Sequence, residues 1–342
     1  MLKAFLKKLV LFFLFFFPAL LSSLVLEVRK IWDSAPHNAF TDLIRYRDFF
    51  YCTFREGASH VPKDSTQNGR IRILRSADGL HWQSVALLLN VIYDLRDPKI
   101  SIMPDGRLMV LIGGSHYVNG KLTGMLPHVS FSEDGKAFNY PQPVSIEKGV
   151  RTGYDWIWRI TWDGQTGYGV VYQSDQNSVE SRIKLLKTSN GINWKEVTGF
   201  DIAPAPNEAS IRIDNNDNML ILLRREKSAN GMLGMSFPPY LRWKWTELPY
   251  RLGGPNFIML KNNLLCIGTR LYSSGGNKTV LYFTDNKGNI KKSIELPSGG
   301  DTSYPGMVLY RNYLWVSYYS SHEGKASIYI ARIKLPGIKD LK

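Results

Sequence analysis

Apolar and polar positions alternate along this chain in short runs, which is the pattern of β-strands. Residues 70–74, for example, alternate in character as a strand with one buried face does. Polar turns rich in Gly, Asp and Asn separate the runs, and no stretch is long and periodic enough for a substantial helix. The pattern therefore predicts an all-β fold.

A seven-residue turn motif recurs between these runs, at residues 76–82, 132–138 and 188–194. In each copy an Asp-Gly or Asn-Gly pair supplies the positive φ that a tight hairpin needs. The polar side chains of the motif can bond nearby backbone N–H groups. The aromatic residue three positions after the glycine can then pack under its own turn. Each copy is typical of a β-hairpin.

A longer repeat, with a period of about 50 residues, organises the whole chain. Six segments align, and they begin at His37, Asp94, Asp155, Asn207, Gly253 and Asp301. Each continues as a strand into a polar turn and then into a second apolar strand, at 49–54, 108–112, 168–172, 219–223, 264–267 and 314–319. The turn motifs fall after the second strands of the first three repeats, so we expect them to join a third and a fourth strand.

This repeat predicts a six-bladed β-propeller with four strands in each blade. The sixth repeat ends with residues 327–333, one strand short of the others. Residues 25–32 are free to supply the missing strand, which would close the ring and hide its sheet edges.

The first residues of the chain have the outline of a secretory signal peptide. Residues 1–8 are basic, residues 9–21 are an unbroken apolar run, and two small residues follow. The alternative is a retained N-terminal anchor, since the apolar run can be extended to Leu26. We expect residues 1–23 to act as signal or anchor and residues 24–342 to form the propeller, secreted or periplasmic in either case.

Composition adds two constraints. The 44% hydrophobic share is that of a globular protein, and the net charge of +14 suggests attraction to anions. No nucleic-acid motif is present, so we expect no nucleic-acid partner. Cys52 and Cys266 lie in separate apolar runs, which favours buried free thiols over a disulfide.

Polar and charged side chains collect at two kinds of position that a propeller brings to one mouth. The starts of the first strands carry His37, Asn38, Asp94, Arg96, Asp97, Asp155, Glu208, Asp301 and Tyr304, and the ends of the second strands, with the loops after them, carry Arg55, Glu56, His60, Arg224 and Arg270. Pairs of opposite charge could simply tie neighbouring blades together. Several arginines in one mouth also match a bound carboxylate, because each guanidinium holds two oxygens at once.

The turn motifs, together with Glu208, then Arg224, Arg270 and Tyr304 in that order, resemble the sialidase (neuraminidase) superfamily of Asp-box repeat propellers. The resemblance covers essentially the whole chain after its N-terminal segment. In that family a Tyr is the nucleophile, a Glu takes its proton, an Asp is the acid/base and three Arg clamp the substrate carboxylate. The resemblance implies Tyr304 as nucleophile, Glu208 as its base, and Arg224 and Arg270 as clamps.

This chain departs from the family pattern at two places. Where the family has an Arg-Ile-Pro sequence for its first clamp, the chain reads His37-Asn38-Ala39-Phe40. Where the acid/base Asp would stand, two residues before Arg55, the chain has Thr53. The candidates for the acid/base are Glu56, His60 and Asp97. Candidates for further substrate contacts are Arg55, Arg96, His37, Asn38 and Asp155.

These residues predict an exported glycoside hydrolase that acts on a terminal acidic sugar, either sialic acid or a uronic-acid type of glycoside. A neutral phenol suits attack beside an anionic substrate, and the neighbouring Glu compensates for its high pKa. Two alternatives remain: a hydrolase or lyase of the same fold with a His acid/base, and a glycan-binding propeller without turnover. An acidic glycan is the expected partner, with a membrane contact only through an uncleaved N-terminal segment. We expect no metal and no cofactor, because no loop has the spaced ligands of a known calcium motif and no nucleotide-binding glycine loop is present.

Overall fold

The computed structural model describes residues 26–174 and 182–335, and the predicted signal or anchor segment lies outside them. The described chain is almost entirely β-structure, with two short 3-10 helices at Ser65–Gln67 and Lys261–Asn263. Within the described residues, no helix has the length and apolar character needed to span a bilayer.

Six small sheets follow one another along the chain. Strand β1 (Leu26–Trp32) comes first; blade one then contains β2 (His37–Tyr46), β3 (Phe49–Gly57), β4 (Arg70–Ser76) and β5 (Gln83–Leu88). Blade two contains β6 (Asp94–Ile102), β7 (Leu108–Val118), the added β8 (Lys121–Met125), β9 (His128–Ser132) and β10 (Gln142–Pro143). Blade three contains the short β11 (Ser145–Ile146), β12 (Asp155–Asp163), β13 (Thr166–Gln173), β14 (Arg182–Thr188) and β15 (Asn193–Phe200).

The other three blades are four-stranded. Blade four contains β16 (Pro206–Ile213), β17 (Met219–Arg225), β18 (Met232–Ser236) and β19 (Lys244–Glu247). Blade five contains β20 (Asn256–Met259), β21 (Leu265–Leu271), β22 (Lys278–Thr284) and β23 (Ile290–Glu295). Blade six contains β24 (Thr302–Tyr310), β25 (Tyr313–Ser320), β26 (Ser327–Lys334) and β1. The predicted six-bladed β-propeller is confirmed.

The ring closes through β1, as the sequence predicts. This strand runs antiparallel to β26, with Leu26 opposite Ile333 and Lys30 opposite Tyr329. The first strand of each blade starts at the mouth, and neighbouring strands of blade six run in opposite directions. The N-terminal end of β1 and the C-terminal end of β26 therefore lie together on the face opposite the mouth.

The recurring turns have the predicted geometry. The Gly79 N–H donates to Ser76 Oγ (2.8 Å), and the Trp82 indole N–H donates back to the Gly79 carbonyl oxygen (3.0 Å). Trp194 makes the same bond to Gly191 at 3.0 Å, and both glycines have a φ of +76°. Each indole is thus fixed under its own hairpin.

Apolar side chains from facing sheets form the core between neighbouring blades. One cluster joins Met109 and Phe131 of blade two to Ile157 and Trp194 of blade three. Cys52 and Cys266 are both buried free thiols, as predicted, and burial raises the pKa of each.

Candidate functional site

Irregularities in the innermost strands aim side chains at the propeller axis. In five blades the register between the first and second strands shifts at a β-bulge. The bulged residues include Phe40, Asp97, Trp158, Glu208 and Tyr304. Three of these residues have a positive φ, between 46° and 63°. Such bulges redirect a side chain out of the alternating pattern of the strand. The bulges therefore build the floor of the mouth.

Blade five has a glycine, Gly254, just before its first strand, and this glycine leaves room for the Tyr304 ring. Gly254 has a φ of +61°, and a Cβ there would come within 2.4 Å of the Tyr304 ring. A side chain at this position would displace the phenol, so glycine is required for Tyr304 to lie where it does.

Tyr304 and Glu208 are in direct contact across the axis. The Tyr304 hydroxyl donates to Glu208 Oε1 at 2.5 Å. Burial, followed by the charge of Glu208, raises the pKa of Tyr304 well above its ordinary value, although Arg224 opposes this shift. The phenol is therefore neutral, with a carboxylate in position to take its proton.

Glu208 is held as an anion by three donors. Its Oε2 accepts the Gly254 N–H (2.8 Å), and its Oε1 lies 2.8 Å from Arg224 Nη1 as well as accepting the Tyr304 hydroxyl. Burial alone would raise the pKa of Glu208, but the Arg224 charge and these hydrogen bonds outweigh it and lower the pKa. Arg224 also forms an ion pair with Glu226, with 2.6 Å between Nη2 and Oε1.

Arg270 also lies beside the Tyr304 ring. Its guanidinium carbon is 5.9 Å from the Tyr304 ring centroid. Its Nε donates to the Thr302 carbonyl oxygen (2.8 Å) and its Nη2 to the Tyr319 hydroxyl (3.2 Å). The two arginines that the resemblance implies as clamps thus flank Tyr304.

Aromatic rings surround Tyr304 and give the mouth an apolar wall. Ring centroids of Phe40, Trp158 and Tyr319 lie 5.0, 5.6 and 5.9 Å from that of Tyr304. Lys99 lies behind this wall, with Nζ 4.3 Å from the Trp158 ring centroid. The sequence alone assigns no role to Lys99 or Phe40, although both lie in predicted inner strands.

Two of the other predicted arginines are bound to one carboxylate. Arg55 is fully buried, and its Nη2 donates to Asp94 Oδ1 at 2.7 Å. Arg96 lies 3.3 Å from the second Asp94 oxygen, and its guanidinium carbon is 5.1 Å from the Phe40 ring centroid. Arg96 therefore lines the mouth, whereas Arg55 supports it from behind.

The side chains of three predicted site residues make contacts within the fold and do not reach the mouth. Asn38 is fully buried and bonds only backbone groups of Ala35 and Ala326. Asp155 is fully buried and accepts bonds from the turn before it and from Gln173. Glu56 is buried under Trp32, Arg70 and Arg72, all of which contact its carboxylate. None of the three presents a carboxylate or amide to the mouth, because tertiary contacts already use these groups.

Asp97 does lie near Tyr304, on the floor rather than at the rim. It is buried, and burial raises its pKa against the opposing charges of Lys99 and Arg96. Within the described residues its Oδ1 has no hydrogen-bond partner. Asp97 is thus a buried carboxyl group whose charge acts on Tyr304 from below.

His37 and His60 meet at Asp301 on the rim. His37 Nε2 and His60 Nδ1 lie 3.1 and 3.0 Å from the same carboxylate oxygen, Oδ2. The other oxygen, Oδ1, accepts the Tyr319 hydroxyl at 2.6 Å. The sequence placed Asp301 at the start of an inner strand, but its two histidine partners come from blade one and only the closed ring brings them there.

Comparison with known proteins supports the fold. No protein-family model and no curated protein sequence matches the chain. Among solved structures, a Dyadobacter fermentans protein described as of unknown function is similar over 90% of this chain and 99% of its own, with a TM-score of 0.76 at 18% identity. Trypanosoma rangeli sialidase in complex with the inhibitor DANA is similar over 90% of this chain, with a TM-score of 0.64 at 12% identity.

The endosialidase of phage phi92 is also similar, over 91% of this chain, with a TM-score of 0.67 at 11% identity. The chain spans 56% of the length of the T. rangeli sialidase and 69% of that of the endosialidase. At these identities the likeness shows a sialidase-like propeller fold.

Proposed function

We propose that the protein is an exported glycoside hydrolase that cleaves a terminal acidic sugar, sialic acid or a uronic-acid type of glycoside. The observation that carries this proposal is the hydrogen bond from the Tyr304 hydroxyl to Glu208, flanked by Arg224 and Arg270. It is a nucleophile paired with a base, beside two cations that suit a carboxylate. The sialidase-like fold of the chain agrees with this chemistry.

In the proposed reaction the Tyr304 oxygen attacks the anomeric carbon while the bond to the leaving group breaks. The phenol proton passes to Glu208, so that no phenolate forms beforehand. Water then cleaves the glycosyl–tyrosine bond, and Glu208 returns the proton to the phenol. Two displacements at one carbon give net retention of configuration.

The test compares the wild-type protein with Tyr304→Phe on aryl sialosides and aryl uronides. We expect the wild type to turn over one class, and Tyr304→Phe to lose about 10⁴-fold or more in kcat, because the nucleophile is gone. Binding of the free acidic sugar should survive, since the phenyl ring and the arginines remain. Tyr140→Phe, at an exposed tyrosine on the outer edge of blade two, is the matched control.

A glycan-binding protein without turnover is the second candidate. The aromatic wall around Tyr304 favours it, since rings of this kind also bind sugars without chemistry. Wild-type protein that binds the acidic sugar but cleaves no aryl glycoside would establish this function and overturn the first.

A further inference from the structure

The cluster of His37, His60 and Asp301 supplies what the rest of the site lacks. Cleavage of a glycosidic bond needs a proton donor for the leaving oxygen, and Thr53 stands where the sialidase resemblance implies that donor. Thr53 is fully buried on β3, so no group there reaches a substrate. The donor must come from another element of the mouth.

Asp301 orients two imidazoles that differ in exposure. The His37 side chain is 12% exposed, and burial lowers its pKa despite the contact with Asp301. The His60 side chain is 51% exposed and turns its Nδ1 toward the carboxylate. A carboxylate on Nδ1 fixes the tautomer of a histidine and leaves Nε2 to exchange a proton, as in the triad of serine hydrolases. His60 is therefore the member of the cluster that can meet a substrate.

The loop that carries His60 is fixed by buried charges. Arg96 Nη1 donates to the His60 carbonyl oxygen (2.9 Å), and Arg55 Nη1 donates to that of Ser59 (2.8 Å). The His60 ring packs edge-on against Phe40 at 5.2 Å between centroids, and Phe40 packs against Tyr304 at 5.0 Å. A single aromatic ring thus separates the imidazole from the nucleophile.

The position of His60 suits a donor to the leaving group better than that of the other candidates. In a displacement with retention, the leaving group departs from the face of the sugar opposite the nucleophile, toward solvent. Asp97 lies on the floor among Lys99 and Arg96, and the Glu56 carboxylate is occupied by Arg72 and Trp32. His60 alone among the three candidates from the sequence is half-exposed at the rim.

We propose that His60, oriented by Asp301, is the acid/base of the hydrolase. This rests on the proposed function. In the first step the His60 imidazolium gives its Nε2 proton to the glycosidic oxygen as the bond between that oxygen and the anomeric carbon breaks and the bond to Tyr304 forms. In the second step neutral Nε2 takes a proton from water as the hydroxyl attacks the anomeric carbon and the bond to Tyr304 breaks. The imidazolium is then restored.

The same three residues could be considered for a metal ion, since their ligand atoms lie within 4.8 Å of one another. Two observations oppose this. A metal-bound histidine normally donates its other ring N–H to an acceptor, yet His37 Nδ1 is buried without a partner among the described residues. Arg270 Nη2 also lies 3.6 Å from Asp301 Oδ1, which places a further cation beside the carboxylate. The arrangement favours proton exchange.

The test uses the dependence of kcat/KM on the leaving group. His60→Gln should lose more than about 100-fold in kcat/KM on an alkyl glycoside, whose leaving oxygen needs a proton. On a dinitrophenyl glycoside of the same sugar the loss should stay below about tenfold, because that phenolate leaves unaided. Added azide should restore kcat of His60→Gln on the aryl substrate and yield a glycosyl azide, since azide needs no base.

Asp301 acts as a positioning residue, and its variant has a different signature. The charged or titratable groups around His60 are Asp301, His37, Asp97, Arg55 and Arg96. Asp301→Asn removes the carboxylate that orients the His60 ring through Nδ1, so kcat on the alkyl glycoside should fall at least tenfold while KM changes less than about twofold. His81→Gln is the matched control, because His81 forms a similar pair with Asp78 on the opposite face, at 2.7 Å. That variant should leave kcat and KM on both substrates unchanged.

Failure of this proposal is distinct from failure of the proposed function. If wild-type protein cleaves no glycoside, the hydrolase itself is wrong. If wild-type protein is active but His60→Gln loses kcat/KM equally on both leaving groups, or if Asp97→Asn shows the selective loss instead, His60 is not the acid/base. Activity abolished by EDTA and restored by zinc would also overturn the proposal in favour of a metal site.

Discussion

Lys99 lies over the face of Trp158 at 4.3 Å, with no hydrogen-bond partner for its Nζ in the part of the chain that the structure describes. The Trp158 ring lies 5.6 Å from that of Tyr304, and the Lys99 ammonium group lies 5.8 Å from the Tyr304 ring centroid, so Lys99 is part of the floor beneath Tyr304. Burial lowers the pKa of Lys99 to about 8 from 10.5, although Asp97 opposes the shift. Cation–π contact compensates only partly for the lost hydration.

Lys99→Met should make the protein more stable at neutral pH, by about 1 to 3 kcal/mol. The pKa of Lys99 is lower in the folded than in the unfolded protein, so the unfolded state binds more protons between pH 8 and 10.5. The wild type therefore gains stability as pH rises through that window. Below pH 8 Lys99 is charged in the folded protein, and the full free-energy cost of burying that charge is present. Urea unfolding at pH 7 and pH 10 measures the effect. A difference between variant and wild type that stays constant over this range would contradict the shifted pKa.

Arg55→Met should destabilise the protein by about 3 to 5 kcal/mol, because it leaves Asp94 as a buried charge without its main partner. Both side chains of this pair are fully buried. Adding Asp94→Asn should recover part of the loss. Arg107→Met, which breaks the exposed pair with Asp105, is the control and should cost less than about 1 kcal/mol. Chemical denaturation measures all three, and equal losses in the two single variants would exclude a structural role specific to Arg55.

The sequence was sufficient for the fold because each blade repeats the same local signals. Turn chemistry at Gly79 and Gly191, and the alternation of the flanking strands, depend only on neighbouring residues. The missing fourth strand of blade six pointed to closure by β1 for the same reason. Local pattern therefore predicts strands, turns and blade number.

The site was only partly predictable, since burial and partners depend on contacts between blades. The order of Glu208, Arg224, Arg270 and Tyr304 predicted their grouping, and the structure brings them together. Nothing in the local sequence shows that the Asn38 side chain would donate a hydrogen bond to the carbonyl oxygen of Ala326, 288 positions away. In the same way, the pairing of His60 with Asp301 spans 241 positions and exists only after closure.

Gly191→Ala should cost clearly more stability than Gly164→Ala, because the two positions share backbone strain but differ in crowding. Both glycines have a positive φ, which costs a residue with a Cβ about 1 to 2 kcal/mol. A Cβ at Gly191 would lie 2.7 Å from Met109 Sδ, whereas one at Gly164 would meet no atom within 4 Å. Thermal unfolding of both variants checks this. A larger loss for Gly164→Ala would show that the hairpin at Gly191 is not packed against blade two.

Arg270→Met should weaken binding of the acidic sugar about tenfold to 100-fold, as expected for the loss of a hydrogen bond to a charged group. The reason is that Arg270 lies beside Tyr304 and is held in place by Thr302 and Tyr319, so under the proposed function its fixed charge would pair with the substrate carboxylate. The sugar with its carboxylate converted to an amide should lose far less affinity, because it carries no charge for Arg270 to hold. Isothermal titration calorimetry with both sugars measures the difference. Arg311→Met, on the opposite face, controls for the loss of one positive charge from the protein. If Arg270→Met weakens the acid and the amide equally, the guanidinium supports the fold of the mouth and does not bind the carboxylate.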